Sequence, residues 1–207
     1  MEEIKNIIFD LGNVILNIDG EKTIQAMKDL GFDDFQESYT LLRQSDLFDF
    51  LEKGLIPPEK FHSELQAHFN QPVSPEKIDN AWNAMLLDFP KKRIRLIQSL
   101  QGRYRLFLLS NTNSIHYQKY NRDLLEQYGF GLSSLFEKAY YSFDLGMRKP
   151  DLEIFEYVIK DSRLKPIETL FIDDAEANIE SAQQLGLKTL RIDVAKGEDI
   201  AQKLKGF

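Results

Sequence analysis

Ile4 to Phe9 form a short, isoleucine-rich apolar run, and similar runs recur as YRLFLLS (104–110), KAYYSF (138–143), TLFIDD (169–174) and LKTLRI (187–192). Nearly continuous apolar stretches of this length suit strands covered on both faces. Between them the apolar positions fall three or four apart. Ile94, Ile97 and Leu100 precede Gly102; Ile154, Phe155, Val158 and Ile159 follow Pro150; Ile179, Ala182 and Leu185 precede Gly186. That spacing lines one face of a helix, and the flanking glycines and proline act as stop and start signals. Strands alternating with helices predict an α/β fold, a parallel sheet with helices on both faces.

From about residue 21 to 88 the alternation gives way to helical periods alone. Ile24, Met27 and Leu30 run up to Gly31; Phe61, Leu65 and Phe69 follow Pro57-Pro58; Ile78, Ala81, Trp82 and Met85 follow Ser74-Pro75, with the serine placed as N-cap and the proline at the first helical position. The expected organisation is a core of residues 1–18 and 89–207, with residues 19–88 inserted after the first strand as a small helical bundle. Gly20 and the stretch Asp88-Phe89-Pro90 mark the breaks in pattern where hinges would lie.

Composition narrows the function. The 207 residues, 43% of them hydrophobic, suffice for a sizeable core. With 33 acidic against 26 basic residues and a net charge of −7, a nonspecific grip on nucleic acid or on an anionic membrane is disfavoured. No cysteine occurs, which removes disulfides, zinc–thiolate sites and cysteine nucleophiles and suits a cytoplasmic protein. The apolar run at the N-terminus is broken by Asp10, so neither a signal peptide nor a membrane span is expected there. Whether the protein is a monomer or a homodimer is left open.

In an open parallel sheet the ligand sits beyond the carboxyl ends of the strands. Those ends carry Asp10, then Ser110-Asn111-Thr112, then Lys149 shortly after the third run, then Asp173-Asp174. Carboxylates converging on one crevice repel one another, so a cation is needed among them. Oxygen ligands without histidine or cysteine point to a hard ion such as Mg²⁺, which commonly meets a phosphate. Ser110 and the amides of Asn111 and Thr112 lie where a strand turns toward a helix, a place that supplies donors to anions. Lys149 is a compact positive charge able to contact phosphate and nucleophile together. Asp10 can attack phosphorus and form an aspartyl phosphate.

The segments FDLGNV, LLSNTN, GMRKPD and FIDDAEAN resemble, in order and separation, the four motifs of the haloacid dehalogenase superfamily, and the resemblance covers essentially the whole chain. FDLGNV with DLGMRKP and DDAEAN is most similar to the branch containing α-D-glucose-1-phosphate phosphatases. The resemblance implies a Rossmann-like core with a helical cap, Mg²⁺ dependence, and hydrolysis of a small phosphorylated metabolite, a sugar phosphate such as a hexose 1-phosphate. It implies Asp10 as nucleophile, the Gly12 carbonyl and the Asp174 side chain as metal ligands, Asp173 as an outer support of the metal site, and Ser110, Asn111 and Lys149 as phosphate ligands.

One element of the pattern is missing. Phosphatases of this superfamily usually carry a second aspartate two residues after the nucleophile, where this chain has Gly12; a general acid/base of that kind is worth about 10²–10⁴-fold. Three explanations stand open: Asp19 swings in, water suffices for a leaving group of modest demand, or the site binds phosphate without turnover. Dehalogenases of the superfamily also lack that acid, but they work without metal and do not need the Asp173-Asp174 pair. A receiver-type phosphoacceptor domain uses similar residues in the reverse order and has no cap.

Single residues support duller readings too. The DLG of residues 144–146 repeats the first motif without any catalytic meaning. His62 and His68 sit beside the apolar face of Phe61, Leu65 and Phe69 and suit structural roles, and His116 receives no role. Arg43 suits an exposed helical position or a reach over the site. Phe48, Phe50, Trp82 and Phe89 suit either a substrate-selecting cap face or plain core packing.

Overall fold

The protein is described by a computed structural model covering residues 3–36 and 46–207. Among the described residues five strands, Asn6–Phe9 (β1), Arg105–Ser110 (β2), Lys138–Tyr141 (β3), Thr169–Asp173 (β4) and Lys188–Arg191 (β5), form one sheet. The order is β3-β2-β1-β4-β5 and every pairing is parallel. The chain builds outward from β1 through β2 to β3, then crosses back to lay β4 on the other side of β1. The reversal at β1 is the topological switch point, where the loops part and leave a crevice.

Alternation within each strand sorts the side chains into two layers. Ile7, Phe9, Leu106, Leu108, Leu170 and Ile172 point to one face, where the helices Lys91–Leu100 and Ser114–Tyr128 supply Ile94, Ile97, Tyr120 and Leu124. Ile8, Phe107, Leu109, Tyr140 and Phe171 point to the other, against Ile154, Phe155 and Val158 of Leu152–Asp161 and Ile179 and Ala182 of Glu176–Gln184. Burial on both faces is why these strands read as continuous apolar runs, and the expected α/β architecture is the one observed. The run KAYYSF is shorter as a strand than expected, because Ser142–Leu145 turns into a short helix. The helix Ser114–Tyr128 escaped the periodicity reading: its buried positions are Ile115, His116, Tyr120 and Leu124, so half of its inward stripe is not aliphatic.

The described helices between β1 and the helix Lys91–Leu100 form a separate layer. Helices Gly20–Asp29, Leu47–Glu52, Pro58–Gln66 and Pro75–Trp82 pool Met27, Phe48, Phe61, Leu65, Ile78 and Trp82 into a core of their own, to which Ile115 is added from Ser114–Tyr128. Each fully buried side chain of this size contributes about 1.5–3 kcal/mol. Pro75 opens its helix as expected, but Ser74 makes no side-chain capping bond. The two connections to this layer run side by side. The Asn17 amide donates to Asp88 O (3.0 Å), the Leu87 amide to Asn17 O (3.0 Å) and the Asp19 amide to Met85 O (2.9 Å), so the connecting segments are held by main-chain bonds. Among the described residues no helix is long and apolar enough to cross a membrane.

Candidate active site

Strand register sets the first contact. Phe9 pairs with Ile172, the Asp10 amide donates to Ile172 O (2.8 Å), and the next residue of β4 is Asp173. Immediately after Asp10 the chain reverses. Asn13 adopts a left-handed conformation (φ 58°), its amide donates to Leu16 O (2.7 Å), and the Ile15 and Leu16 amides both donate to Leu11 O (2.8 and 2.9 Å). Asparagine tolerates this backbone better than most residues. The turn also aims a side chain, because Asn13 Nδ2 donates to Asp174 Oδ2 (2.9 Å). That accounts for an asparagine at position 13.

Lys149 sits at the centre, 1% exposed. Its Nζ donates to Asp10 Oδ1 (2.6 Å) and Asp173 Oδ2 (2.7 Å). Asn111 fixes the lysine's own peptide from both sides: the Lys149 amide donates to Asn111 Oδ1 (2.9 Å) and Asn111 Nδ2 donates to Lys149 O (2.8 Å). Asp173 accepts further from the Ala175 amide (2.8 Å) and from Asn178 Nδ2, 3.0 Å from each oxygen. Burial pushes the Asp10 carboxyl up, against the pull of Lys149 and with added repulsion from Asp173, to about 7. Burial also raises Asp174, offset in part by the bond from Asn13. For Lys149 burial acts downward, but the two carboxylates outweigh it and hold the ammonium above its ordinary value.

Asp10, Asp173 and Asp174 each offer an oxygen within 4.8 Å of the others. Three carboxylates against one ammonium leave a formal excess of two negative charges when all are ionised, which a divalent hard cation balances. The donor set fits such an ion. Both oxygens of Asp173 already accept protein hydrogen bonds, so its place is to orient Lys149 and Asn178. Asp10, Asp174 and the Gly12 carbonyl are the groups suited to direct contact, and that carbonyl accepts from the Val14 amide (2.6 Å) with a second lone pair to spare.

The expected anion-binding turn is differently built. Ser110 is buried at the end of β2, but the Thr112 amide donates to Ser142 Oγ (2.9 Å), and the first amides of the following helix, Ile115 and His116, are capped by Asn113 Oδ1 (3.1 and 3.0 Å). Thr112 and the helix N-terminus are therefore committed within the protein. Asn111 has spent its side chain on the Lys149 peptide.

Residues 4–186 match the haloacid dehalogenase-like hydrolase family. The chain belongs to that family. It is 34% identical over 201 residues, 97% of each chain, to the D-ribitol-5-phosphate phosphatase of Bacteroides thetaiotaomicron. It is 25% identical to the glyceraldehyde 3-phosphate phosphatase of Methanocaldococcus jannaschii, over 95% of this chain and 88% of that one. Among solved structures it resembles a HAD family enzyme of Bacteroides thetaiotaomicron in complex with magnesium and inorganic phosphate, with TM-score 0.90, 38% identity, and coverage of 97% of this chain and 99% of the other.

In this hydrolase the strand ends open into a cavity of about 290 Å³, whose far wall carries Ile18, Glu52, Trp82, Met85 and Leu86. Asp19 is not among the lining residues; its carboxylate caps the helix Gly20–Asp29 by accepting the Glu21 amide (3.1 Å). A Cβ at position 12 would lie 2.8 Å from Ile18 Cδ1, the flexible tip of a side chain, so a larger residue there needs only that tip to shift. Arg43 lies outside the described residues. His62 pairs with Asp79 (2.6 Å), and His68, beyond the end of Pro58–Gln66, stacks on Phe32 at 5.0 Å. Phe89 belongs to the sheet core and Phe50 is exposed, whereas Trp82 reaches the cavity. His116, given no role from sequence, lines it as well. Asn13, Asn178 and Arg148 were also passed over. All three lie inside the recognised motifs, and their amide or guanidinium groups beside the carboxylates were the available signal.

Proposed function

We propose that this chain is a Mg²⁺-dependent phosphatase that hydrolyses a small sugar or polyol phosphate through an aspartyl phosphate on Asp10. The observation that carries the reading is the position of Lys149, buried and shared between Asp10 and Asp173 at 2.6 and 2.7 Å, beside Asp174. Asp10, Asp174 and the Gly12 carbonyl would hold Mg²⁺, which supplies charge neutralisation for the transferring phosphoryl group. The relatives named D-ribitol-5-phosphate phosphatase and glyceraldehyde 3-phosphate phosphatase support phosphorylated sugars and polyols as a class, more broadly than a hexose 1-phosphate.

Lys149 keeps Asp10 oriented through one carboxylate oxygen. A carboxylate oxygen of Asp10 attacks phosphorus, the ester P–O bond breaks, and the departing alkoxide takes a proton from water. A second water then attacks the aspartyl phosphate, releasing inorganic phosphate and restoring the Asp10 carboxylate. Ser110 and Lys149 contact the phosphoryl oxygens, with Asn111 acting through the lysine it clamps. The helical layer 19–88 serves as the cap over the core of residues 1–18 and 89–207, excluding bulk water during the reaction. With no acid at position 12, turnover favours esters whose alcohols leave easily.

Incubation with Mg²⁺ and a panel of sugar and polyol phosphates, read by phosphate release, tests this. Asp10→Asn is expected to lower turnover by at least about 10³-fold. Absence of release from every member of the panel by the wild-type protein would overturn the reading.

A further inference from the structure

Among the described residues that line the cavity, Trp82 carries a buried polar atom that the protein leaves without a partner, as Tyr120 does with its hydroxyl. Trp82 is 5% exposed and its indole Nε1 has no hydrogen-bond acceptor. The ring cannot easily turn to find one. It is stacked on Phe48 at 5.2 Å (28° between planes) and on His116 at 5.0 Å (16°), and Phe61 abuts it at 5.4 Å. Buried donors are nearly always satisfied, so an orphan held this firmly in a residue that lines the cavity is a place for an acceptor from outside.

His116 adds a complementary group. Its Nδ1 lies 2.8 Å from Asn83 Oδ1, so the proton of the neutral ring sits on Nδ1 and Nε2 keeps its lone pair. Burial keeps this imidazole neutral, pushed down to about 3. Both rings line the same cavity as Asp10 and Lys149, Trp82 from the helix Pro75–Trp82 and His116 from the helix Ser114–Tyr128.

We infer that Trp82 and His116 form a hydroxyl-binding subsite for the leaving group: the indole N–H donates to a substrate hydroxyl, and the hydroxyl proton is offered to the imidazole lone pair. A hydroxyl is the simple group that accepts and donates at once, whereas a carboxylate or a second phosphate would face an imidazole that has no proton at Nε2 to give. The substrate class is accordingly an ester whose alcohol carries at least one further hydroxyl, and alkyl phosphates of the same length are discriminated against. This inference rests on the phosphatase reading above.

Trp82→Phe removes the donor and keeps a ring in the stack, and equal melting temperatures would establish that the fold is intact. The probes are a pentitol 5-phosphate and n-pentyl phosphate, matched in carbon number and differing in hydroxyls. The ratio of kcat/KM between them is expected to favour the pentitol ester in the wild type and to fall about tenfold in Trp82→Phe, the worth of one neutral hydrogen bond to a buried donor. A ratio unchanged by the substitution overturns the subsite while leaving the phosphatase reading in place. A wild-type protein that consumes neither ester, nor any member of the wider panel, overturns both. Should Trp82→Phe lose its fold, His116→Phe, which removes the acceptor and retains the stack, is held to the same criterion.

Discussion

The two walls of the cavity are built on opposite plans. On the sheet side, charged groups are bound to one another: Lys149 to Asp10 and Asp173, Asp173 also to Ala175 and Asn178, Asp174 to Asn13. On the helical side, aromatic rings hold each other in place, Trp82 between Phe48 and His116, and polar atoms are sparse. Charge compensation leaves few alternatives, because a buried carboxylate without its partner is costly. Ring packing fixes a shape and can present a single donor within it. The first plan suits chemistry on a phosphoryl group common to many esters, and the second suits discrimination among the alcohols attached to it.

The sharpest way to break this contrast is to remove the shared ammonium. Lys149→Met leaves Asp10 and Asp173 buried without it, and the expected loss of stability is about 3–5 kcal/mol, measured by urea unfolding. Turnover should vanish together with stability. Trp82→Phe, the corresponding polar deletion on the helical side, should cost far less, since the stack survives. Equal stability losses for the two variants would show that the walls do not differ in kind.

The same contrast explains what the sequence revealed. Strand-end residues such as Asp10, Lys149 and Asp173 were legible because their types are awkward in an apolar setting, and their order along the chain matched a parallel sheet. The three central strands, β1, β2 and β4, were legible because burial on both faces leaves little room for polar residues. The Thr112 amide was misassigned to anion binding, because its acceptor, Ser142 Oγ, comes from a different strand-to-helix junction and no local pattern announces it. Asp173 was expected as an outer support of the metal site, but Asn178, five residues on, whose amide completes its shell, was not seen. On the helical side, Trp82 suited a cap face and core packing equally, and His116 received no role; both are buried, as core residues are. Their second role depends on one nitrogen each, which hydrophobic periodicity does not register.

A pH measurement sharpens the comparison at the helical wall. Burial pushes His116 down to about 3 from an ordinary value of 6.5. Between those values the unfolded chain binds a proton that the folded protein refuses, so stability is full above about 6.5 and falls as pH drops toward 3. Asp10, pushed up, works in the opposite sense in the metal-free protein, so the raw curve mixes both walls. The difference in unfolding free energy between wild type and His116→Phe isolates the histidine. That difference should shrink steadily on acidification from pH 6.5, and a difference independent of pH would mean the ring titrates normally.

The smallest effect is expected where the walls meet. Arg148, the neighbour of Lys149, reaches across to Asp49 and to Glu52 (3.3 Å) on the helix Leu47–Glu52. The three side chains are 19%, 35% and 31% exposed, so solvent screens the pairs and Arg148→Ala should cost only about 0.5–1 kcal/mol. Its kinetic signature is more telling. Asn111 holds the Lys149 peptide by two hydrogen bonds that do not involve Arg148, so the ammonium should stay in place and kcat should change little. The helical layer, losing its charged tie to the loop, should close less readily over substrate, raising KM several-fold. Added salt should raise the wild-type KM in the same direction and affect the variant less. If kcat instead collapses as it does in Lys149→Met, the loop 146–151 is a single mechanical unit, and the division between a chemical floor and a selecting wall fails at the residue that joins them.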